Sequence, residues 1–523
     1  MSVTRLVKRY LILLGLLSLS LPSFANTSID ELHQAYRSGE ATVEQTVAGY
    51  IAKINALNPD YNAVIAIDPT ALAQAKTLDN AFKQGKWLGA LHGIPVLLKD
   101  NIAATAVPTT AGSLALQQNL ATDDAFVVAK LRAAGAVILG KTNLSEWANF
   151  RSSKASSGWS SVGGQTHNAI DPTRNPCGSS SGSAVAVALD LAPVSLGTET
   201  DGSITCPASA NGVYAIKPPM GLISRSGVVP LAHSQDTVGP MANNLQDALT
   251  VMAVIAGYDQ HDSASQNPES ASYQSYQQHI EPTAIKNLRI GALNSQQFTP
   301  MTHKLFGLQQ QQLQQAGANI IAVTLPESMA QQIGQMFQDE FFILLYEFKR
   351  DLNQYLSQTP SQVRVKSLEQ LITFNRQHAQ QTMPYFGQDI LQQAQAIDLE
   401  AQAADYLAAK TRYRDTASQV LTTLYTEHDL DVLISPTLSP AWKTDVINGD
   451  HFQGSVSSYS AISGSAHITL PVGKAYGLPI GLSVLAAPKK GIEAIAATSA
   501  IDKVLSKAAL DITYSSKSPT SSN

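Results

Sequence analysis

A lysine and two serine-bearing loops have the residue types and spacing for covalent catalysis. Lys99 ends the apolar run Leu91-His-Gly-Ile-Pro-Val-Leu-Leu-Lys99. Such a run reads as a buried strand, and its end delivers an amine to the carboxyl edge of a sheet, where sites in open α/β folds form. The segments Cys177-Gly-Ser-Ser-Ser-Gly-Ser183 and Gly197-Thr-Glu-Thr-Asp-Gly-Ser203 set serines in glycine-containing loops that can present backbone N–H groups to an anion. A serine hydroxyl attacks only after a base takes its proton, and a lysine is that base only when neutral. Burial supplies the neutrality by disfavouring the ammonium. Moving a lysine from about 10.4 to about 7.5 takes about 4 kcal/mol, and the apolar residues 94–98 are suitable surroundings.

Two other motifs compete for the chemistry. Gly135-Ala-Val-Ile-Leu-Gly140-Lys141-Thr142 matches a phosphate-binding loop letter for letter, but its four apolar residues form a strand where a permissive loop is needed, and a helical pattern precedes it. Lys141 is expected at a strand end. Gly178-Ser-Ser180-Ser-Gly182 matches a nucleophile elbow, with Asp431 and His467 available as partners. The elbow needs a strand directly before it, and residues 170–177 carry two prolines.

The elements that must position these residues alternate between helix and apolar strand. Residues 28–57, 69–83, 125–134 and 184–191 have helical spacing, whereas 136–139, 193–196, 288–293, 319–325, 432–434 and 470–482 read as strands. The pattern predicts one large α/β domain over residues 26–523, with a mixed, mainly parallel twisted sheet covered by helices on both faces. Residues 328–426 are Gln- and Ala-rich and read as a helical insertion. Residues 151–183 shift to Ser, Gly, Asn and Pro, a long aperiodic stretch of the kind that carries function in a compact enzyme.

Composition narrows the classes. The chain has 523 residues, 44% hydrophobic and 14% charged, with a net charge of −5 and no long basic run, which argues against disorder and nucleic-acid binding. Two cysteines, Cys177 and Cys206, exclude a disulfide scaffold and a multi-thiolate metal site, and they are free to pair or not. Residues 1–25 place Arg5, Lys8 and Arg9 before a short apolar run and Ser23-Phe-Ala25, as in a secretory signal peptide. A periplasmic or secreted protein is expected, with no stable membrane insertion after processing.

The block from Asn175-Pro-Cys177 through Gly197–Ser203 to Gly212-Val-Tyr-Ala-Ile-Lys-Pro218 resembles the amidase signature family. Gly93–Asn101, Gly140-Lys-Thr-Asn-Leu-Ser-Glu-Trp147, Asp236-Thr-Val-Gly-Pro240 and Gly477-Leu-Pro-Ile-Gly481 extend the resemblance over most of the chain. It implies the family's fold, a catalytic lysine at Lys99, a bridging serine at Ser179 preceded by a cis peptide bond, and a nucleophile at Ser203. The family's separation of 24 residues between the two serines is kept. The oxyanion hole falls on the N–H groups of Thr200, Asp201, Gly202 and Ser203, and substrate contacts on Ser180 and Asp201.

The family's usual Gly-Gly-Ser-Ile-Arg is here Asp201-Gly-Ser-Ile-Thr205, so an arginine that some members direct at substrate carboxylates is missing. With Glu146-Trp-Ala-Asn-Phe-Arg151, the motifs look most like the peptide amidase branch. The implied activity is hydrolysis of C-terminal peptide amides through an acyl-enzyme, with release of ammonia, a small-molecule or short-peptide partner and no cofactor or metal. A glutaminase-type component of a tRNA amidotransferase and a non-catalytic periplasmic binding protein are the rivals. His92, His167, His233 and His467 lack metal spacing and read as structural, and Trp147, Phe150 and Tyr214 as core.

Overall fold

The computed structural model describes residues 26–266, 283–295 and 297–514. The signal-peptide segment 1–25 lies outside the described residues. Eleven strands form the main sheet: β1 (Val64–Ile67), β2 (Pro95–Lys99), β3 (Val137–Thr142), β4 (Val194–Glu199), β5 (Tyr214–Lys217), β6 (Thr237–Ala242), β7 (Arg289–Leu293), β8 (Asn319–Val323), β9 (Val432–Pro436), β10 (His467–Leu470) and β11 (Leu482–Leu485). Their order is β1-β3-β2-β4-β6-β5-β10-β11-β9-β7-β8.

The sheet is mixed, and its parallel share is smaller than the sequence pattern suggests. β2 pairs parallel with β3 and β4, and β7 pairs parallel with β8 and β9, whereas the other six pairings are antiparallel. The cause lies at the centre. β4 and β5 are joined through the helix Thr205–Asn211, as an alternating pattern predicts, but β6 returns after a long loop and slots antiparallel between them. The segment 470–482 is likewise not one strand. β10 ends at Leu470 and β11 begins at Leu482, with short strands at Gly473–Ala475 and Leu478–Pro479 between them.

Local chemistry sets the helices. The helical pattern of residues 28–57 splits in two because Gly39, at φ +77°, closes the helix Ile29–Ser38, and Thr42 opens Val43–Tyr61 with a capping box to Gln45. Ala330–Gln358 packs along Ala403–His428, and their Phe348, Leu352, Tyr413 and Leu421 share a core with Leu433 of β9, Leu485 of β11 and the loop residues Trp147, Phe150 and Leu231. Among the described residues no helix is long and apolar enough to cross a membrane.

The loop-like match at 135–142 becomes a turn followed by β3, with Lys141 inside the strand. Its ammonium is fully buried, 3.0 Å from Asp100 Oδ1 and 3.1 Å from Thr109 Oγ1. Breaking a buried pair leaves an unpaired charge, whereas replacing both members does not. Asp100→Ala should therefore lower stability in urea by about 3–5 kcal/mol, and the double variant Asp100→Leu/Lys141→Met by clearly less. An equal loss in both would show that the pair acts only as packing.

Candidate active site

Three chain segments converge at the carboxyl ends of β2 and β4. β2 is buried over its whole length, so its terminal Lys99 cannot reach water. β4 runs on to Glu199, beyond the strand end expected at 196, and hands directly to the turn Thr200–Ser203. Between them in sequence, Gly178–Ser180 leads into the helix Ser181–Ala188. The peptide bond between Gly178 and Ser179 is cis.

The amine of Lys99 has three near neighbours. Its Nζ lies 2.7 Å from Ser179 Oγ, 2.8 Å from Thr198 Oγ1 and 3.1 Å from the Thr198 carbonyl. Asn101 Nδ2 also donates to Thr198 Oγ1, at 2.9 Å. A neutral amine has two N–H donors and one lone pair. Thr198 takes the two donors, which leaves the lone pair for the Ser179 hydroxyl. Burial brings the Lys99 pKa down to about 7, against the pull of the Asp236 and Glu199 carboxylates. The amine is thus a usable base near neutrality.

Ser203 stands in a turn that three carboxylates hold. Glu199 Oε2 accepts from the N–H groups of Ile204 and Thr205 at 2.7 and 3.0 Å, capping the helix Thr205–Asn211. Asp236 accepts from Thr200 Oγ1 at 2.6 Å and from the N–H groups of Leu231 and Ala232 at 2.8 and 2.9 Å. Asp201 accepts from Ser457 Oγ at 2.5 Å and from Ser458 Oγ. Gly202 sits at φ +76°, left-handed backbone that an L side chain resists. Among the described residues, the N–H groups of Asp201, Gly202 and Ser203 donate to no protein acceptor, so they are available to an oxyanion. The Ser203 carbonyl accepts from the Ser180 N–H at 3.1 Å, tying the two serine segments together.

A cavity of about 380 Å³ opens on Ser203 and is lined by Gly178, Thr200, Asp201, Phe150, Leu344 and Asp450 among others. No lysine or arginine is among its lining residues. A larger cleft of about 760 Å³ lies elsewhere, beside Leu114, Arg364 and Phe374, and there Thr373 Oγ1 and His378 Nδ1 are each engaged by a backbone carbonyl, not by each other. Chemistry, not size, selects the site.

Ser180 does not face the cavity. Its Oγ donates to the Thr198 carbonyl at 2.9 Å and accepts from the Thr198 N–H at 3.1 Å, so the hydroxyl fastens the Gly178–Ser180 segment to β4 and is not offered to the cavity. The remaining elbow partners lie apart from it: His467 bonds to Ser483 Oγ at 2.6 Å, and Asp431 accepts from the Arg289 N–H at 2.8 Å. Asp201 does line the cavity, although its carboxylate is occupied by hydroxyl donors.

The histidines have separate tasks. His92 stacks on Trp87 at 4.4 Å, His167 Nδ1 lies 2.9 Å from the Pro172 carbonyl, and His233 pairs with Asp351 at 2.9 Å. Trp147 is buried and Tyr214 bonds to Asp502, whereas Phe150 is both buried and part of the cavity wall. The residues that sequence reasoning missed are Asp236, Asp450 and the left-handed run Trp147, Ala148 and Asn149, at φ +54°, +55° and +72°. Asparagine tolerates that region, but Trp147 and Ala148 do not favour it, so these two mark strained backbone beside the cavity that their types do not foretell. The two cysteines, for which the sequence allows either state, form a disulfide between Cys177, beside the Ser179 turn, and Cys206, beside Ser203.

A family model described as amidase matches residues 45–491. The native peptide amidase from Stenotrophomonas maltophilia superposes with a TM-score of 0.86 at 40% identity, over 93% of this chain and 98% of that one. A probable amidase of Arabidopsis thaliana is 36% identical over 88% of this chain and 86% of its own length. A glutamyl-tRNA(Gln) amidotransferase component from Methanosarcina barkeri is 32% identical over 86% of this chain and 91% of its own length. The chain belongs to the amidase family. It has that family's α/β fold and is an amide-hydrolysing enzyme, which sets aside the reading as a non-catalytic binding protein.

Two outcomes follow from this geometry. A buried lysine serving as the base would act only when deprotonated, so kcat/KM should rise with pH up to about 7, and a profile flat from pH 5 to 8 would remove Lys99 as the base. The disulfide spans a sequence separation of 29, and losing it in Cys177→Ser/Cys206→Ser should cost about 3–4 kcal/mol in chemical denaturation.

Proposed function

We propose that the protein hydrolyses primary carboxamides, with C-terminal amides of peptides as its substrates, by a Ser203–Ser179–Lys99 relay. The contact that carries this reading is the 2.7 Å separation of the buried Lys99 Nζ from Ser179 Oγ. Ser203 Oγ gives its proton to Ser179 as Ser179 gives its own to Lys99, and the freed oxygen attacks the amide carbonyl. The N–H groups of the Thr200–Ser203 turn hold the developing oxyanion, each donor lowering the barrier by about 3 kcal/mol. Collapse needs a protonated leaving group, because an amide anion leaves poorly; Ser179 returns the proton to nitrogen and ammonia departs. Water then cleaves the acyl-enzyme through the same relay in reverse.

The substrate class rests on charge and on likeness. An amide is neutral and its carboxylic product is not, and a cavity with two carboxylates and no lysine or arginine in its lining favours the first over the second. Thr205, where other members carry arginine, is drawn into the Glu199 cap. The structural likeness to a peptide amidase at 40% identity points the same way. Export, inferred from residues 1–25, accords with the disulfide, since such bonds persist in oxidising compartments. That disfavours the rival role as part of a cytosolic amidotransferase.

Ammonia release measured across peptide amides, aliphatic amides, glutamine and free peptides is the test. Peptide amides should be turned over fastest and free peptides not at all. Ser203→Ala should abolish turnover and Lys99→Ala should reduce it at least about 10³-fold. A Ser203→Ala enzyme of near-normal rate would reject the relay, and a preference for glutamine would reject the substrate class.

A further inference from the structure

Glu340 lies in the helix Ala330–Gln358, far from the serine loops in sequence, yet its carboxyl group reaches the nucleophile turn. It is buried, and the Asp201 carboxyl is near enough to raise its affinity for a proton. Two neighbouring carboxylates repel when both are ionised, so a proton on one of the pair relieves the contact. Gln235 completes the arrangement: its Nε2 donates to Glu340 Oε1 at 2.8 Å and to the Thr200 carbonyl at 3.2 Å. Asp201 is held on its other side by Ser457 and Ser458 at the start of the short helix Ser457–Ser463. The backbone N–H groups of the turn are therefore aimed by a carboxyl pair that belongs to two distant parts of the chain.

We propose that Glu340 is a positioning residue, whose neutral carboxyl group donates to Asp201 and thereby fixes the Thr200–Ser203 turn for the reaction. The inference rests on the relay proposed above but adds a residue and a proton to it. Burial and the adjacent Asp201 charge both push the Glu340 carboxyl well above the usual carboxylate range, in the direction that retains its proton. The other titratable groups facing the pair are Tyr413 from the helix Ala403–His428 and, behind Asp201, Lys217 and Glu199. As pH rises, Glu340 loses its proton, two negative charges meet without a hydrogen between them, and the turn is pushed out of register. Glu340 then sets an alkaline limb, as Lys99 sets the acid one.

The test compares Glu340→Gln and Glu340→Ala with wild type in kcat and KM against pH, on whichever amide the wild type hydrolyses best. A glutamine in this place keeps a donor towards Asp201 and an acceptor for Gln235, with nothing to titrate. Glu340→Ala should lose at least tenfold in kcat with little change in KM. Glu340→Gln should recover most of that loss at neutral pH and show no alkaline fall. Thermal melts of both variants separate misfolding from mispositioning, and the Glu340→Gln profile decides alone if the alanine variant is unstable. A Glu340→Gln enzyme as slow as the alanine variant would show that a negative charge is needed there, as for binding a substrate ammonium, and would overturn the proposal. So would a Glu340→Gln profile identical to wild type. If the wild type hydrolyses no amide, or Ser203→Ala stays active, the relay fails instead.

Discussion

Everything at the site depends on an amine held out of water. Bringing a lysine from its ordinary range to about 7 costs about 5 kcal/mol, and the folded chain must bear that cost continuously. It does so by placing Lys99 at the end of a strand that is buried along its whole length and flanked by strands on both sides. The Thr198 hydroxyl and carbonyl then take the amine's hydrogens, so the polar group is desolvated without being orphaned. A lysine on a loop would be solvated and charged, and could not act as a base.

The second constraint is that the serine turn be rigid before substrate arrives. Catalysis through backbone donors works only when their direction is set in advance. Here carboxylates set it, each bonded to N–H or hydroxyl groups rather than to a cation: the buried Glu199 to Ile204 and Thr205, the buried Asp236 to Thr200, Leu231 and Ala232, and the half-buried Asp201 to the serines of 457–458. The short helix Ser457–Ser463 is fixed at both ends by opposite charges. Asp201 meets its first serines, and the buried Lys217 ammonium donates to the carbonyls of Ser460 and Ser465 at 2.9 and 2.7 Å, near the end where the helix dipole is negative. The charges near Ser203 are thus mostly scaffold.

Legibility followed sequence distance. β2 and its lysine could be read because an apolar run ending in a charge has few other meanings, and the two serine loops because Gly and Ser density is itself a signal. β6 escaped notice since Thr-Val-Gly-Pro-Met-Ala contains two strand breakers. Pro240 is tolerated because the ladder with β5 stops at Met241, so no partner on that side needs its missing N–H. Ser180 carried a misleading motif: the Gly-x-Ser-x-Gly spacing is present, but β4 passes so close that the hydroxyl is taken up by Thr198. Glu340 and Asp450 could not be found, because a lone acid in a Gln-rich helical stretch or a surface loop has no local pattern that names its partner.

The distribution of these groups bears on how substrate choice could change while the chemistry stays fixed. The Lys99–Ser179 contact and the Thr200–Ser203 turn are built from the strand ends and loops between positions 99 and 205. The cavity wall is instead shared with Leu344 from the long helix, with Asp450, Phe452 and Ser455 from a later loop, and with Ser457 and Ser458 at the start of the helix that follows it. Phe341, one helical turn before Leu344 and 42% exposed, packs edge-on against Phe150 at 6.2 Å and so extends the apolar wall outward. Replacements along that face would reshape the cavity without touching Lys99, Ser179 or Ser203. The exception is Glu340, which shares the helix with Leu344 and Phe341 but reaches back to Asp201, so on this helix the wall that selects substrate and the contact that aims the turn are mechanically joined.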